Sequence, residues 1–275
     1  MTTISRILLF GISLVPVLVQ AQGNSGRKPI PLPYIREADV MWSKKVWEAI
    51  DLREKFNQTL YYPTRPLSDR ESLFDIIKDG VYPAEATGTA PLVAYSADED
   101  EFKTPLTRAE LKKVFFKSDT IYTPDDDNPN HLSPHVVSEE LGPADVKQYW
   151  IQEEWVFDKQ RSVLDVRITG IMPVITRKDE KGEVIGMGAT FWISFPELRG
   201  LLAQNFIFNR KNNLQGLTFD DLFLKRMFSG YIIKEDNLAD RMIAEYKGAN
   251  TLDALLEAES IKDGIRRKES DLWQH

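Results

Sequence analysis

The sequence predicts an α+β fold in which helices flank an antiparallel sheet of three or more strands. Apolar residues recur at helical spacing before residue 120 and after residue 196, but they alternate at two-residue spacing between residues 149 and 195. The connections between the alternating segments are too short for parallel crossovers, so the strands must be antiparallel. Helices, then a meander of strands, then helices again are typical of the α+β class.

The first 21 residues have the pattern of a secretory signal peptide. Arg6 precedes an apolar stretch from Ile7 to Val19, and the small residue Ala21 follows it. This stretch is too short to span a bilayer comfortably, so we expect cleavage after Ala21 rather than a retained anchor. The protein is therefore expected to work outside the cytoplasm.

Composition excludes several function classes. The 275 residues contain no cysteine, which rules out a disulfide, a thiol nucleophile and a lipidated thiol. The net charge of −7 disfavours nucleic acid or an anionic membrane surface as a partner. No direct insertion into a membrane is expected.

Residues 22–37, here called the arm, precede a predicted single α+β domain over residues 38–275. Pro29, Pro31 and Pro33 alternate with apolar residues, which favours an extended, polyproline-like conformation. Two interpretations stay open: the arm is a plain linker, or it lies on a neighbouring subunit.

The first part of the domain is predicted to be helical. Ala38–Asn57 has helical spacing, and capping-box patterns at Ser68–Glu71 and Thr107–Glu110 predict two further short helices. Acidic residues and prolines from Ser118 to Glu140 predict a long surface loop.

The sheet is predicted at the centre of the chain. Tyr149–Asp158 alternates with aromatic residues on both faces, and a second strand follows around Leu164–Thr169. The returning strand is predicted over Glu183–Phe195. Short helices then follow at Pro196–Gln204 and after Thr218.

The last two helices are predicted near the end of the chain. Asn237–Asp240 is expected to start one helix, with Gly248 just after its end, and Thr251 to open the last one.

Metal-binding patterns are weak. His131 and His135 are four residues apart, but Pro134 and the surrounding prolines argue against a helix that would place them together. Asp126 and Asn128 begin a calcium-loop pattern that the sequence does not complete, because the turn glycine and the final glutamate are missing. Asn130 is its third position. We predict a solvated acidic loop, and no metal or cofactor.

Catalytic patterns are also missing. The segment Gly186–Gly188 lies inside a predicted strand, where close packing under Trp192 or a bulge explains it better than phosphate binding. The sequence has no Gly-x-Ser-x-Gly elbow. No catalytic residue is predicted.

Glu153 and Glu154 are neighbours in a predicted strand. They should therefore point to opposite faces, which argues against a paired acid and base. We expect one of them to face inward and to pair with Arg161 or Arg167.

Long blocks of the chain resemble the GldN/PorN family of Bacteroidetes, from about Arg36 to Trp273. The matching blocks are Trp150–Ile168, Ala38–Trp42, Ile50–Lys55, Leu60–Pro63, Thr190–Glu197, Asp220–Phe223 and Lys234–Asn237. The resemblance implies a periplasmic component of the type IX secretion system, which also drives gliding in motile members. It implies a ring built with an outer-membrane lipoprotein, GldK or PorK, and contact with the periplasmic part of the motor protein GldM or PorM.

A ring subunit works through its interfaces, where exposed aromatic residues are typical anchors. The candidate interface residues are Pro31, Pro33, Tyr34, Tyr61, Tyr62 and Trp273. Each of them could instead belong to the core or to a frayed terminus.

Two other function classes stay open. An exported cell-wall (peptidoglycan) enzyme or binding module would need clustered carboxylates or an aromatic row in a cleft, and Glu139–Glu140 with Trp150 is the nearest suggestion. A small-ligand sensor would need a buried polar pocket.

Overall fold

The computed structural model describes residues 26–67, 70–83, 91–98, 101–124, 132–178, 183–208, 216–248 and 252–273. The predicted signal peptide and the calcium-like turn at Asp126–Asn130 lie outside these residues. The strands are β1 (Val40–Asp51), β2 (Ala94–Ser96), β3 (Phe116–Pro124), β4 (Leu132–Glu140), β5 (Val146–Asp158), β6 (Val163–Lys178), β7 (Val184–Ala189), β8 (Phe191–Ser194) and β9 (Tyr231–Glu235). The helices are α1 (Gln58–Tyr61), α2 (Leu73–Val81), α3 (Arg108–Phe115), α4 (Phe195–Leu202), α5 (Phe219–Leu224), α6 (Ile243–Lys247) and α7 (Leu252–Leu272).

The described strands form a seven-stranded antiparallel sheet and a separate pair. The sheet has the order β2-β8-β6-β5-β1-β9, and β7 also pairs with β6, while β3 pairs with β4. The predicted central meander is confirmed, because β5, β6 and the β7–β8 return are consecutive antiparallel neighbours. The α+β class is confirmed as well.

The two faces of the sheet differ. Val46, Glu48 and Ile50 share one face of β1, because alternate residues of a strand point the same way. Ile50 belongs to the main core, which packs α2, α4 and α5 against the sheet. Val46 belongs to a smaller cluster with Ile261 and other residues of α6, α7 and β9. The opposite face carries a third cluster, which contains Trp47, Met172 and Trp192.

Strand β1 contradicts the predicted helix over Ala38–Asn57. Its last six residues, Val46–Asp51, are all buried, so the sequence shows no alternation of apolar and polar positions. Trp42, Val46 and Ile50 are four residues apart, a spacing that suits one face of a helix and equally one face of a strand. Pairing with β5 on one side and β9 on the other decides for the strand.

The predicted loop at Ser118–Glu140 is also wrong, because β3 and β4 run through it. They pair from Phe116 opposite Glu140 to Pro124 opposite Leu132. A two-stranded sheet consists only of edges, where a proline can sit without breaking a hydrogen bond to a further strand. The prolines therefore did not prevent strand formation.

Helix starts were predicted with mixed success. The capping boxes at Thr107 and Thr218 are present, whereas α2 is capped by Ser72 with Asp75 instead of by Ser68–Glu71. Helices α4 and α7 lie where they were predicted.

Helix α6 begins at Ile243 rather than at Asn237. The Asn237 side chain instead builds a turn, since its Oδ1 accepts from the backbone N–H groups of Ala239 and Arg241 at 3.1 Å. The C-cap at Gly248, with φ 86°, agrees with the prediction.

Candidate functional site

The described part of the arm is held to its own chain by arginine side chains that donate to its backbone. Arg199 Nη2 donates to the Ile30 carbonyl at 2.6 Å, and Arg167 donates to the Pro33 carbonyl. Arg27 Nη1 donates in turn to the Gly216 carbonyl at 3.0 Å. The arm is therefore fixed through its main chain.

The side chains of the arm are left exposed. Pro31 and Pro33 are exposed, and Tyr34 is 86% exposed, more than any other aromatic residue among the described large exposed apolar side chains. Ile30 and Leu32 are exposed as well. The arm thus presents a row of apolar groups to its surroundings.

Arg199 connects the arm to the core. It lies in α4 with 8% of its surface exposed, and its Nε and Nη2 bind the two carboxylate oxygens of buried Asp220 in α5 at 2.7 and 3.1 Å. A bidentate pair fixes the plane of the guanidinium. The other N–H of Nη2 donates to the Ile30 carbonyl. Sequence reasoning missed this anchor, because Arg199 and Ile30 are 169 residues apart.

The other interface candidates lie on different elements. Tyr61, in α1, is half-buried and packs against the main core, and Tyr62 meets it edge to face at 5.0 Å. Trp273 follows α7 and is 60% exposed. Pro31, Pro33 and Tyr34 therefore lie together only because they are neighbours in sequence, and Tyr61 has a packing role.

An ion cluster with two buried carboxylates and a partly exposed arginine occupies the β1–β5 face. Glu153 is completely buried and accepts from Arg226 Nη1 at 2.6 Å and from Trp155 Nε1 at 3.0 Å. Arg226 Nη2 also reaches Glu48, 3.3 Å away on β1. The prediction that one of the two adjacent glutamates faces inward is right.

The predicted partner of Glu153 is wrong. Arg161 pairs with Asp158 and Asp165, and Arg167 pairs with Asp165. Both arginines lie near the β5–β6 turn and are occupied by local carboxylates. The true partner, Arg226, comes from the loop after α5 and could not be found by distance along the sequence.

Glu48 is the perturbed member of the cluster. Burial and the negative charge of Glu153 raise the pKa of Glu48 to about 7, although Arg226 and Lys262 oppose the shift. Gly230 lies directly against it: a Cβ atom there would be 3.1 Å from Glu48 Oε2. A cavity of about 260 Å³ is lined by Glu48, Arg226, Lys262 and neighbouring loop residues.

A second cavity, of about 240 Å³, lies on the opposite face of the sheet. We call it the tryptophan cavity. Its lining residues are Trp47, Ala97, Asp98, Trp150, Met172, Trp192, Ile233, Lys234, Asp240, Met242 and Glu245. Trp150 belongs to the cell-wall-binding suggestion made from sequence. Glu140, its proposed companion, instead lies on β4 and pairs with Lys78.

The remaining sequence motifs carry no chemistry in the described structure. Among the described residues, no group of three or more His, Cys, Asp or Glu side chains is placed to hold a metal ion. His131 lies outside these residues, and His135 is in β4. Gly186–Gly188 lies in β7 beside a register shift, as the bulge interpretation predicts, but Gly188 packs against Arg177 and not under Trp192.

The part of the chain that the structure describes contains no helix that combines the length and the apolar character needed to cross a bilayer.

Comparison with known proteins identifies one family. No curated protein matches the chain. Residues 35–274 match the family model of GldN, the gliding motility associated protein. The match covers the arm from Ile35 onward and every strand and helix described above. The chain therefore belongs to the GldN family, whose members are associated with gliding motility and type IX secretion.

Proposed function

We propose that this protein is a periplasmic structural subunit of the type IX secretion and gliding machinery. It forms a homo-oligomeric ring with a GldK/PorK-like outer-membrane lipoprotein and contacts the periplasmic part of a GldM/PorM-like inner-membrane motor protein. Through the lipoprotein it is associated peripherally with the outer membrane. The GldN match over nearly the whole chain is the observation that carries this proposal.

The family is a structural component of the machinery and not a known enzyme family. The described polar clusters agree with a structural role, because Arg226 and Arg199 bind buried carboxylates of their own chain and tie distant segments together. We further propose that residues 38–275 act as one domain.

Within this proposal the arm is an interface. Ile30, Leu32 and Tyr34 are exposed while the main chain that carries them is anchored, so ordering costs little further entropy when a partner covers them. Tyr62 and Trp273 are secondary candidates. Tyr61 would contribute by holding Tyr62 in place.

The proposal is tested by size-exclusion chromatography with light scattering on residues 22–275. The protein is measured alone and mixed with the soluble domain of the lipoprotein partner. We expect a defined complex with wild type and a weaker one after deletion of residues 23–34. The isolated variant should keep the circular dichroism spectrum of the wild type.

A matched pair of point variants locates the effect. Tyr34→Ser removes an exposed side chain in the arm, whereas Leu238→Ser removes one that is fully exposed elsewhere. We expect only Tyr34→Ser to weaken the complex. A wild-type protein that stays monomeric and does not bind the lipoprotein would contradict the proposed ring. Equal binding of the lipoprotein by both variants would contradict the role of the arm.

A further inference from the structure

The tryptophan cavity has aromatic walls from three strands. Trp47 on β1 and Trp150 on β5 share a face of the sheet, because Trp150 pairs with Ala49, two residues from Trp47. Met172 on β6 pairs with Trp150, and Trp192 on β8 completes the row. At about 240 Å³ the cavity is smaller than the roughly 300–1,000 Å³ typical of drug-sized ligands. It suits one ring-sized group.

One polar group in this wall has no partner. Trp47 is 5% exposed, and its Nε1–H finds no acceptor among the described residues. A buried donor without an acceptor costs free energy, and such groups are rare in folded proteins. Met172 and Met242 also line the cavity, and methionine side chains rearrange easily. A ligand that shifts them can bring an acceptor to this donor.

The rim of the cavity offers acceptors. Asp98 and Glu245 are exposed, and their carboxylates form no ion pair or hydrogen bond with any described residue. Asp240 is already bound to Lys234 at 2.6 Å. A ligand with several hydroxyl groups would supply donors to the carboxylates of Asp98 and Glu245.

The donor of Trp47 decides which ligand group fits the inner end of the cavity. The ammonium group of Lys234 lies 4.3 Å from the centre of the Trp47 ring, so one cation already occupies that ring face. A second cation could pair with Asp98 or Glu245, but it could not accept from Trp47 Nε1. A ligand that satisfies this donor as well is apolar on one face, rich in hydroxyl groups, and equipped with a carbonyl acceptor.

We propose that the tryptophan cavity binds one ring of an N-acetylated amino sugar. The C–H face of the sugar packs on the indole rings, and the hydroxyl groups donate to Asp98 and Glu245. The acetamido carbonyl accepts from Trp47 Nε1, and its methyl group lies among the apolar side chains. This sugar site is separate from the interfaces of the proposed protein ring and does not depend on them.

Binding is measured on residues 22–275 by titration calorimetry and by tryptophan fluorescence, since three of the six tryptophans line the cavity. The probes are N-acetylglucosamine oligomers and soluble glycan fragments of peptidoglycan. Glucose oligomers with the same linkage, which are neutral and lack the acetamido group, serve as the control. We expect binding of the acetylated oligomers and at least tenfold weaker binding of the control. Binding of peptidoglycan fragments alone would identify the cell wall as the source of the sugar.

Variants place the site. The double variant Glu245→Gln with Asp98→Asn should weaken sugar binding at least fivefold. Trp47→Phe, which keeps an aromatic ring but removes the Nε1–H donor, should weaken it by at least as much. Phe56→Ala, which removes an exposed ring elsewhere, should bind as wild type does. Melting curves verify that each variant folds. Absence of binding to both acetylated probes, or equal binding of the acetylated oligomers and the glucose oligomers, would overturn the proposal while leaving assembly of the protein ring unaffected.

Discussion

Arg226 donates to the fully buried carboxylate of Glu153 at 2.6 Å, although 73 residues separate the two in sequence. The same guanidinium reaches Glu48 on the neighbouring strand. Arg226 has a φ of 49°, in the left-handed region that few residues other than glycine and asparagine adopt readily. Arg226 therefore ties the loop that leads from α5 to β9 to strands β1 and β5.

Replacing Arg226 by leucine should strongly destabilise the fold. The substitution leaves the buried carboxylates of Glu153 and Glu48 without their shared partner; because the Arg226 side chain is itself 37% exposed, we expect a loss of about 1–3 kcal/mol. Urea unfolding measures the loss. Arg266→Leu removes an arginine that forms only exposed ion pairs on α7, and should change the free energy of unfolding by less than about 1 kcal/mol. Equal losses in the two variants would contradict the structural role of the cluster.

Glu48 should make the protein less stable as the pH rises. Its pKa is about 7 in the folded state against an ordinary value of 4.5, so folding favours its protonated form. This contribution is fully present below pH 4.5 and is lost as the pH rises to about 7. The loss amounts to about 3 kcal/mol, at about 1.4 kcal/mol for each pH unit.

Unfolding curves of Glu48→Gln between pH 5 and 8, in steps of about one unit, check this expectation. The free energy of unfolding of the variant should fall much less with rising pH than that of the wild type, and near pH 8 the variant should be the more stable of the two. Glu154→Gln, on the adjacent strand, is the matched control and should keep the wild-type slope. A Glu48→Gln variant with an unchanged pH dependence would show that Glu48 does not titrate in this range.

Arg199→Lys should release the arm. Lysine keeps a positive charge beside Asp220 but lacks the planar fork that binds Asp220 and the Ile30 carbonyl together. We expect cleavage between residues 27 and 36 by a nonspecific protease to become several-fold faster, as followed by mass spectrometry. Arg53→Lys, at an exposed position, should leave the cleavage rate unchanged. A resistant arm in Arg199→Lys would show that other contacts hold it.

Ser72→Ala should destabilise the protein by about 1 kcal/mol, the usual contribution of an N-cap side chain. Ser72 is completely buried, and its Oγ accepts from the Asp75 backbone N–H at 3.1 Å. Thermal unfolding is the measurement. Ser43→Ala, at an exposed position of β1, should stay within about 0.5 kcal/mol of wild type. A Ser72→Ala variant as stable as Ser43→Ala would argue against the capping box.

The sequence predicts local features of this fold well. The β5–β6 meander follows from two-residue alternation and a short turn, and the capping boxes of α3 and α5 follow from residues three positions apart. All of these signals are read within a few residues of one another. The interface candidates in the arm come from the same kind of local pattern.

What the sequence could not supply depends on distant partners. Strand β1 pairs with β5 and β9 along its two edges, and its last six residues are buried on both faces, so its own residues show no strand period. Strand β9 has only five residues and is recognised by its pairing with β1. The partners of Glu153 and Ile30, and the row of tryptophans from separate strands, arise only when the sheet is assembled.

The alternating prolines of the arm restrict how it can hydrogen-bond. In an extended chain, successive residues direct their N–H groups to opposite edges. Pro29, Pro31 and Pro33 have no N–H, so every donor from Pro29 to Tyr34 belongs to Ile30, Leu32 or Tyr34, and all three point to the same edge when the arm pairs as a β-strand. Such a segment can pair along one edge only. A sheet that receives it is terminated there, which prevents open-ended growth by further strands.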